Sequence, residues 1–292
     1  MSSEVPRILD RHRRLSVHSA FGTSVNLRAG RRLINCSTGV ISSPNGIEMT
    51  PGDLRRLQRL HRTTPAGGLE WHPLDRVMTS RTGCVVIALT PRTVVFDTAL
   101  PRAGGGDLSV QAHDLVEHLA RTRARAGLGG DWPALIADPT LTAAVDSLLG
   151  GRADEAVGHW MGRGPGLTPS GDDVLVGMVA ALRFTGAIDS SSLAPLRELV
   201  DTAGGRLTTE ISAEYLHYAC RGMVNGMVRD LLVALDRSNT VGVRDAVDRL
   251  SRYGHTSGMD CVLGVLTGLI SASDGQPPSG CAEPSSAQAF RP

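Results

Sequence analysis

Apolar and polar residues alternate along the first third of the chain with the two-residue period of β-strands. The clearest runs are RLSVHSAF from residue 14, TSVNLR from residue 23 and RRLINCS from residue 31. Gly22 and the Ala29-Gly30 pair separate these runs, and both are typical of turns. The pattern predicts an antiparallel meander of three strands.

The remainder of this β-rich region carries other local signals. Pro51 precedes a short predicted helix over 53–61, and the stretch 62–75, rich in Pro and Gly, is expected to be a loop. Two β-branched runs, 84–89 and 93–98, flank the Pro91-Arg92 pair. Their length and composition predict a β-hairpin.

After the glycines at 104–106 the apolar positions take a helical period, with Leu108, Ala112, Leu115 and Leu119 three or four residues apart. Helices are predicted over 107–126, 132–150, 152–161, 171–186, 192–203, 207–236, 241–253 and 257–271. Strands followed by helices predict an α+β fold, because a parallel α/β fold alternates the two. The expected organisation is a β-rich part over 1–103, a larger helical part over 107–272 and a disordered tail over 273–292.

The glycines inside the predicted helices include Gly222, Gly226, Gly264 and Gly268. Glycine in a helix interior costs about 1 kcal/mol relative to alanine. Close approach of a neighbouring helix is the interpretation we prefer for them.

The amino-acid composition excludes several classes of partner and mechanism. The 292 residues carry a formal net charge of +1 and 3% aromatic residues, which argues against nucleic acid or membrane partners. The sequence contains no lysine, so all 30 cationic side chains are arginines and mechanisms that need a Schiff-base or P-loop lysine are excluded. The five cysteines form no C-x-x-C pair, and the first twenty residues lack an apolar signal segment. We therefore expect reduced thiols and a cytoplasmic protein.

The most informative stretch is GRGPGLTPSGDDVLVG, residues 162–177, a glycine-rich loop that leads into an apolar helix. The free N–H groups of a helix start suit an anion. Asp172 and Asp173 would repel an anion on the helix axis, so they serve the helix dipole, bind a metal or receive an amide or ammonium group. The alternative is an ordinary capped helix, with Ser170 as N-cap and Asp173 three residues later.

A second stretch resembles the first. Residues 170–177 and 257–264 each begin with Ser-Gly-x-Asp and end with Gly. Each copy follows a threonine, Thr168 or Thr256. Two such helix starts can face one pocket and present Ser170, Asp173, Ser257 and Asp260. The alternative is a chance likeness between two capped helices.

Other polar residues are candidates with competing structural explanations. Thr208, with Thr209 and Ser212, either caps a helix or lines the pocket, and His255 is the histidine best placed as a general acid or base. The i,i+4 pairs His113/Glu117 and Asp114/His118 have metal-ligand spacing. Because the apolar face of that helix lies elsewhere, we interpret them as a solvated surface and expect neither a metal nor a cofactor.

The motif G-x-G-P-G-L-T-P-S-G-D-D-x-L-x-G resembles the AllH-type family, which is linked to an oxamate carbamoyltransferase subunit. Weaker matches are V-H-S-x-F and V-N-L over 17–27, the threonines near 208 and G-H-T-S-G-x-D over 254–260. The resemblance implies transfer of a carbamoyl group between phosphate and a small oxo-acid amide, within purine and allantoin nitrogen catabolism. It also implies partner subunits.

The leading interpretation is therefore a carbamoyltransferase-like enzyme or enzyme subunit with a small-molecule substrate. Asp173, Asp260 and His255 are the candidate catalytic residues. The candidate substrate- and anion-binding residues are Arg163, Gly164, Gly166, Thr168, Ser170, Gly171, Asp172, Thr208, Thr256 and Ser257. The alternatives are a noncatalytic anion- or metabolite-binding subunit or sensor, and a structural partner in a multienzyme assembly. Partner subunits and a homo-oligomer both fit these interpretations.

Overall fold

The first third of the chain forms a seven-stranded sheet in a computed structural model, which describes residues 1–39, 42–63, 68–152 and 158–274. The strands are β1 Arg14–Ala20, β2 Ser24–Ala29, β3 Arg32–Ser37, β4 Gly46–Glu48, β5 Gly68–His72, β6 Val77–Ser80 and β7 Val85–Ala88. Their order is β4-β3-β2-β1-β5-β6-β7, and only the β3–β4 pair is parallel. The predicted meander of β1, β2 and β3 is confirmed.

Two helices accompany the sheet, α1 Glu4–Arg11 and α2 Pro51–Thr63. The apolar side chains of α1, α2 and the strands form one cluster that includes Leu9, Leu27, Ile34, Leu57 and Met78, all fully buried. Helix α2 extends the predicted 53–61 helix by two residues at each end, while α1 was not predicted. Its apolar residues Val5, Ile8 and Leu9 form a helical stripe that is short and surrounded by charge.

Two predictions for the β-rich region were wrong. The stretch 62–75 contains strand β5, which pairs with β1 and β6. The run 93–98 forms no strand, because β7 takes β6 as its antiparallel partner. Val94 and Val95 are left 76% and 53% exposed, and Phe96 makes only an isolated bridge to Ser2. β-branched composition alone therefore predicted the wrong partner for β7.

The rest of the described chain is helical, which confirms the α+β fold class. The helices are α3 Leu108–Thr122, α4 Trp132–Ile136, α5 Pro139–Leu149, α6 Ser170–Thr185, α7 Ala194–Leu207, α8 Glu210–Cys220, α9 Gly226–Asp236, α10 Thr240–Ser251 and α11 Ser257–Asp274. They share a second apolar cluster, separate from that of the sheet. None of the helices in the described part of the chain is both long and apolar enough to cross a membrane.

Two predicted helices are each divided in two. The 207–236 segment breaks at Gly222, whose φ is 74°, and restarts where the Asn225 side chain accepts a hydrogen bond from the Val228 N–H at 2.9 Å. The 132–150 segment breaks at Asp138, which caps α5. Residues 153–157 of the predicted 152–161 helix lie outside the described residues, as do residues 275–292 of the predicted tail.

Helices α6 and α11 cross at very short range through glycines. A β-carbon on Gly177 would lie closer than 3.0 Å to the carbonyl oxygen of Cys261, and one on Gly264 would lie that close to the carbonyl oxygen of Val174. The contact is reciprocal, because Gly177 matches Gly264 and Val174 matches Cys261 in the two aligned segments. The predicted packing role of Gly264 is confirmed.

The packing interpretation was wrong for Gly222 and Gly226, since neither lies inside a helix. Gly222 belongs to the link between α8 and α9 and faces the Arg183 side chain. Gly226 begins α9, and its N–H donates a hydrogen bond to the Ser42 carbonyl at 3.1 Å, which ties the helical part to the sheet.

Ion pairs fasten the sheet to α7 and α8. On the sheet side, Arg28 of β2 pairs with Glu210, and Arg32 of β3 lies 2.9 Å from Asp201 and 3.6 Å from Glu214. Glu214 is 4% exposed, and its Oε1 has no hydrogen-bond partner among the described residues. Burial raises the pKa of Glu214 to about 7, although the charge of Arg32 opposes the shift.

We expect Gly264→Ala to lower the free energy of unfolding by about 3 kcal/mol, because the added carbon overpacks a contact between two backbones. Gly205→Ala is the matched control, since Gly205 also lies in a helix but is exposed with only ordinary contacts. That change should stabilise the protein by up to about 1 kcal/mol. Chemical denaturation measures both, and equal effects would mean that α6 and α11 do not touch at Gly264.

We expect Glu214→Gln to change the pH dependence of stability. A carboxyl group whose pKa is raised on folding stabilises the protein below its unfolded pKa, and this contribution is lost as the pH rises through about 7. The variant should therefore gain stability relative to wild type between pH 5 and pH 8, by up to about 3 kcal/mol at about 1.4 kcal/mol per pKa unit. A difference in unfolding free energy that stays constant over this range would show that Glu214 keeps an ordinary pKa.

Candidate functional site

The starts of α6 and α11 lie against each other, and each presents an aspartate to the serine of the other. The Ser257 hydroxyl faces the Asp173 carboxylate, and the Ser170 hydroxyl faces the Asp260 carboxylate. Each aspartate also has its own threonine beside it, Thr168 or Thr256. The structure thus brings together the two Ser-Gly-x-Asp segments that match in sequence. We call Ser170, Asp173, Ser257, Asp260 and the two threonines the carboxylate cluster.

Ser170 is not the N-cap that the sequence predicted. Pro169 occupies the N-cap position without a side-chain hydrogen bond, and Ser170 is the first residue of α6. The hydroxyl of Ser170 is therefore available to Asp260 rather than to its own backbone. Across the cluster, the hydroxyl oxygens of Thr168 and Ser257 are 2.7 Å apart.

A third segment closes the cluster. The N–H of Gly127 donates a hydrogen bond to Oδ1 of Asp260 at 2.6 Å, and the backbone of Leu128 supports the same carboxylate. A β-carbon on Gly127 would lie closer than 3.0 Å to Ser170 Oγ, Asp260 Oδ2 and Thr256 Oγ1. These three polar atoms therefore meet directly above the Gly127 α-carbon. Sequence reasoning missed Gly127, because nothing local distinguishes it from its neighbours Gly129 and Gly130.

Burial dominates the electrostatics of the two aspartates. Asp173 is 5% exposed and Asp260 is fully buried. Loss of hydration raises the pKa of Asp260, and raises that of Asp173 further, with the negative charges of Asp260 and Asp172 adding to the shift. Oδ2 of each aspartate has no hydrogen-bond partner among the described residues. Although hydroxyl groups lie near them, these two buried acceptor oxygens make no hydrogen bond among the described residues, and such groups are costly in a folded protein.

Asp172 has a different environment from Asp173. Its Oδ1 accepts a hydrogen bond from the Gly162 N–H at 2.9 Å, and its Oδ2 accepts one from the Thr208 hydroxyl. Burial raises the pKa of Asp172, while Thr208, Gly162 and Ser212 oppose the shift. Asp172 and Thr208 therefore hold the beginning of the glycine loop to the start of α8.

Thr209 anchors the same loop from the other side. Its hydroxyl donates to the Leu167 carbonyl at 2.5 Å, and its side chain caps α8 by accepting from the Ser212 N–H at 3.1 Å. Of the two explanations left open for these threonines, the capping explanation describes Thr209.

The glycine loop is exposed, and its cation points away from the cluster. The Arg163 guanidinium lies over the Trp160 ring, 5.0 Å from its centre, and 2.8 Å from Nε2 of His159. Gly164 and Gly166 have φ values of 113° and 101°, which favour glycine. Gly171 packs against the Trp160 carbonyl, where no side chain fits.

The candidate histidines lie at the surface. His255 is exposed in the turn before α11. His113 is exposed and bonds to the Ser109 carbonyl, while Glu117 pairs with Arg121. No group of three or more metal-ligating side chains occurs in the part of the chain that the structure describes.

Two tyrosines that sequence reasoning missed lie beside the cluster. Tyr215 of α8 and Tyr253 before α11 contact each other, and burial raises the pKa of both hydroxyls, with Asp173 adding to the effect. Tyr215 also contacts Ser43, which lies between β3 and β4. The chain has only three tyrosines, but their small number does not indicate that two of them lie beside one carboxylate.

The fold and the cluster define an α+β protein with an enclosed carboxylate-hydroxyl site between two helix starts. Residues 160–269 match the family model described as "Oxamate carbamoyltransferase subunit AllH". The match runs from the glycine loop through most of α11, so it contains both aspartates of the cluster but not Gly127. It confirms the family resemblance for this part of the chain. No solved structure matches the chain.

We expect Gly127→Ala to disrupt the cluster, because the new methyl group would overlap Ser170, Thr256 and Asp260 at once. The free energy of unfolding should fall by about 1–3 kcal/mol. Gly22→Ala is the control, since Gly22 has no atom within 4 Å of its β-carbon position and ordinary φ. Thermal melting of both variants tests this. An unchanged melting temperature for Gly127→Ala would show that the segment does not close on the cluster.

Proposed function

We propose that this chain is a carbamoyltransferase subunit whose carboxylate cluster binds the amide nitrogen of a small substrate such as oxamate. The observation that carries the proposal is the pair of buried, unpartnered oxygens, Asp173 Oδ2 and Asp260 Oδ2. An N–H donor from a substrate satisfies such an acceptor, whereas a phosphate or carboxylate would be repelled by it. The family match over residues 160–269 supports the same reaction class.

The cluster has the donor and acceptor pattern of a primary amide. The aspartates supply acceptors for the NH₂ group, and the hydroxyls of Ser170, Ser257 and Thr256 supply donors for the carbonyl oxygen. Both carbamoyl groups and oxamate contain this H₂N–C=O unit. Binding between two fixed helix starts would orient the nitrogen for attack, and positioning alone contributes strongly to such a reaction.

The reaction balances without a covalent enzyme intermediate. A bond forms between the amide nitrogen and the carbamoyl carbon, and the bond from that carbon to the phosphate oxygen breaks. The nitrogen loses a proton, which Asp173 passes on to the departing phosphate. In this proposal Asp173 accepts the proton in its ionised form, because a raised pKa makes it the stronger base, and Asp260 orients the nitrogen.

Substrate access requires a movement of the glycine loop, because the cluster is enclosed. Gly164 and Gly166 are exposed and are the points at which the loop can rotate most easily. The Arg163 side chain would have to leave Trp160 to contact an anion there. His255 would likewise act only on a group that reaches the surface turn.

A noncatalytic metabolite-binding subunit is the second candidate. It is favoured by the charges around the cluster, since the forces that set the pKa values of Asp173 and Asp260 include no arginine. Carbamoyl transfer from carbamoyl phosphate releases phosphate, and positive charge near this leaving group stabilises it. In this alternative that charge, and the turnover, belong to a partner subunit.

We expect Asp173→Asn and Asp260→Asn each to weaken oxamate binding at least tenfold, because a hydrogen bond to a charged acceptor contributes about 1.5–3 kcal/mol. The double variant should lose little more than either single variant, since both groups hold one ligand. Isothermal titration calorimetry with oxamate, and separately with carbamoyl phosphate, measures the cycle. Additive losses would mean that the aspartates do not share a ligand, and unchanged affinity would refute the proposed site.

Asp131→Asn is the matched control for this cycle. Asp131 is an exposed N-cap of α4, and asparagine preserves the cap, so neither stability nor oxamate binding should change. Assays of carbamoyl transfer with the chain alone and with its partner subunits then separate the two candidates. A chain whose Asp173→Asn variant binds weakly but supports full turnover in the complex would be noncatalytic.

A further inference from the structure

A second cavity lies on the other side of α8, where the sheet meets the helical part. Its volume is about 540 Å³, which falls within the range of small-molecule sites. Three segments converge on it: the end of α1, the turn between β2 and β3, and the end of α8. The arginines that line it are Arg7, Arg11, Arg31, Arg32 and Arg221. Since Glu4 is the one carboxylate in this lining, the cavity is strongly cationic in a chain of net charge +1.

Internal ion pairs use only part of this positive charge. Glu4 is shared between Arg7 at 2.6 Å and Arg221 at 3.7 Å, and Arg32 is held by Asp201 and Glu214. Among the residues that the structure describes, no carboxylate forms an ion pair with Arg11 or Arg31, and both are exposed. The cavity therefore keeps cationic side chains that are not neutralised by the fold.

Helix electrostatics explain only two of the five arginines. Arg11 and Arg221 lie at the ends of α1 and α8, where a cation stabilises the helix dipole. Arg31 lies in a strand turn and gains nothing from a dipole. It is held there by Gly30, whose φ is 61° and whose β-carbon position is occupied by the His12 ring.

The wall of the cavity is built from buried polar side chains. Glu4 and His217 are each 7% exposed, and Tyr218 is 2% exposed. Nδ1 of His217 lies 2.7 Å from Asp201, and burial together with Arg32 lowers the pKa of His217 to about 4. His217 is therefore neutral at physiological pH and adds no positive charge to that of the arginines.

We propose that this cavity binds a small phosphorylated metabolite, whose phosphate group is held by Arg31 and Arg11. Arginine is suited to this role because its planar guanidinium binds phosphate oxygens in pairs. The size of the cavity and the net charge of only +1 favour a small molecule over a nucleic acid. The proposal does not rest on the carboxylate cluster, which lies on a different set of segments.

Calorimetric titration with pyrophosphate at constant ionic strength tests the proposal, and inorganic phosphate serves as a smaller second probe, which should bind more weakly than pyrophosphate. The wild-type chain should bind pyrophosphate, and Arg31→Gln and Arg11→Gln should each weaken binding at least tenfold. Both side chains are exposed and free of ion pairs within the described residues, so melting without ligand should not change for Arg31→Gln and should fall only slightly for Arg11→Gln, whose charge stabilises the end of α1.

Arg55→Gln, an exposed position on α2, is the charge-matched control and should bind as wild type does. Asp173→Asn should also bind pyrophosphate normally, which distinguishes this site from the proposed function. The proposal is overturned if the wild type does not bind pyrophosphate, if Arg55→Gln loses as much affinity as Arg31→Gln, or if only Asp173→Asn loses it. If only an acidic protein or a nucleic acid displaced bound pyrophosphate, the cavity would be assigned to a macromolecular partner. This result would also overturn the proposal.

Discussion

The structure depends on the close contact between α6 and α11. At Gly177 and Gly264 the backbones of the two helices touch, because neither glycine has a side chain to separate them. The contact fixes the relative position of the helix starts one to two turns away. Each aspartate of the carboxylate cluster therefore faces the serine of the opposite helix, and neither can turn to water. One packing constraint thus determines the geometry, the burial and the raised pKa values of Asp173 and Asp260.

Burying two carboxylates is expensive, and the fold offsets the cost only in part. Hydroxyls lie around the pair and the Gly127 N–H donates to Asp260, but within the described part of the chain Oδ2 of each aspartate makes no hydrogen bond. Two apolar residues of similar size would pack there at lower cost, since replacing buried charge by apolar groups is often stabilising. A purely structural role does not explain why these two oxygens make no hydrogen bond. Binding of a ligand that supplies N–H donors would explain it.

Local patterns in the sequence predicted what local chemistry determines. Alternation and Gly30 predicted the β1–β3 meander, and the repeated Ser-Gly-x-Asp segment gave proximity of Asp173 and Asp260 as one of two alternatives, the other being a chance likeness. The predictions that failed depended on contacts between residues that are far apart in the sequence. The run 93–98 had strand composition, but β6 had already supplied the partner of β7. Gly127 and Tyr215 reach the cluster from segments that share no motif with it, so only the folded chain could identify them.

Helix α8 lies between the carboxylate cluster and the arginine-lined cavity. Tyr215 faces the Asp173 side, whereas Glu214 and Tyr218 face the arginines of the sheet. The two unpaired aspartates thus lie on one side of the helix, and these arginines are confined to the other, together with the carboxylates that pair with some of them. An amide nitrogen is suited to the first side and a phosphate to the second, because each meets the charge that complements it. Because Asp201 pairs with both Arg32 and His217, a ligand that draws Arg32 away would also change the contacts of α8. Coupling between the two sites would therefore act through the position of this helix.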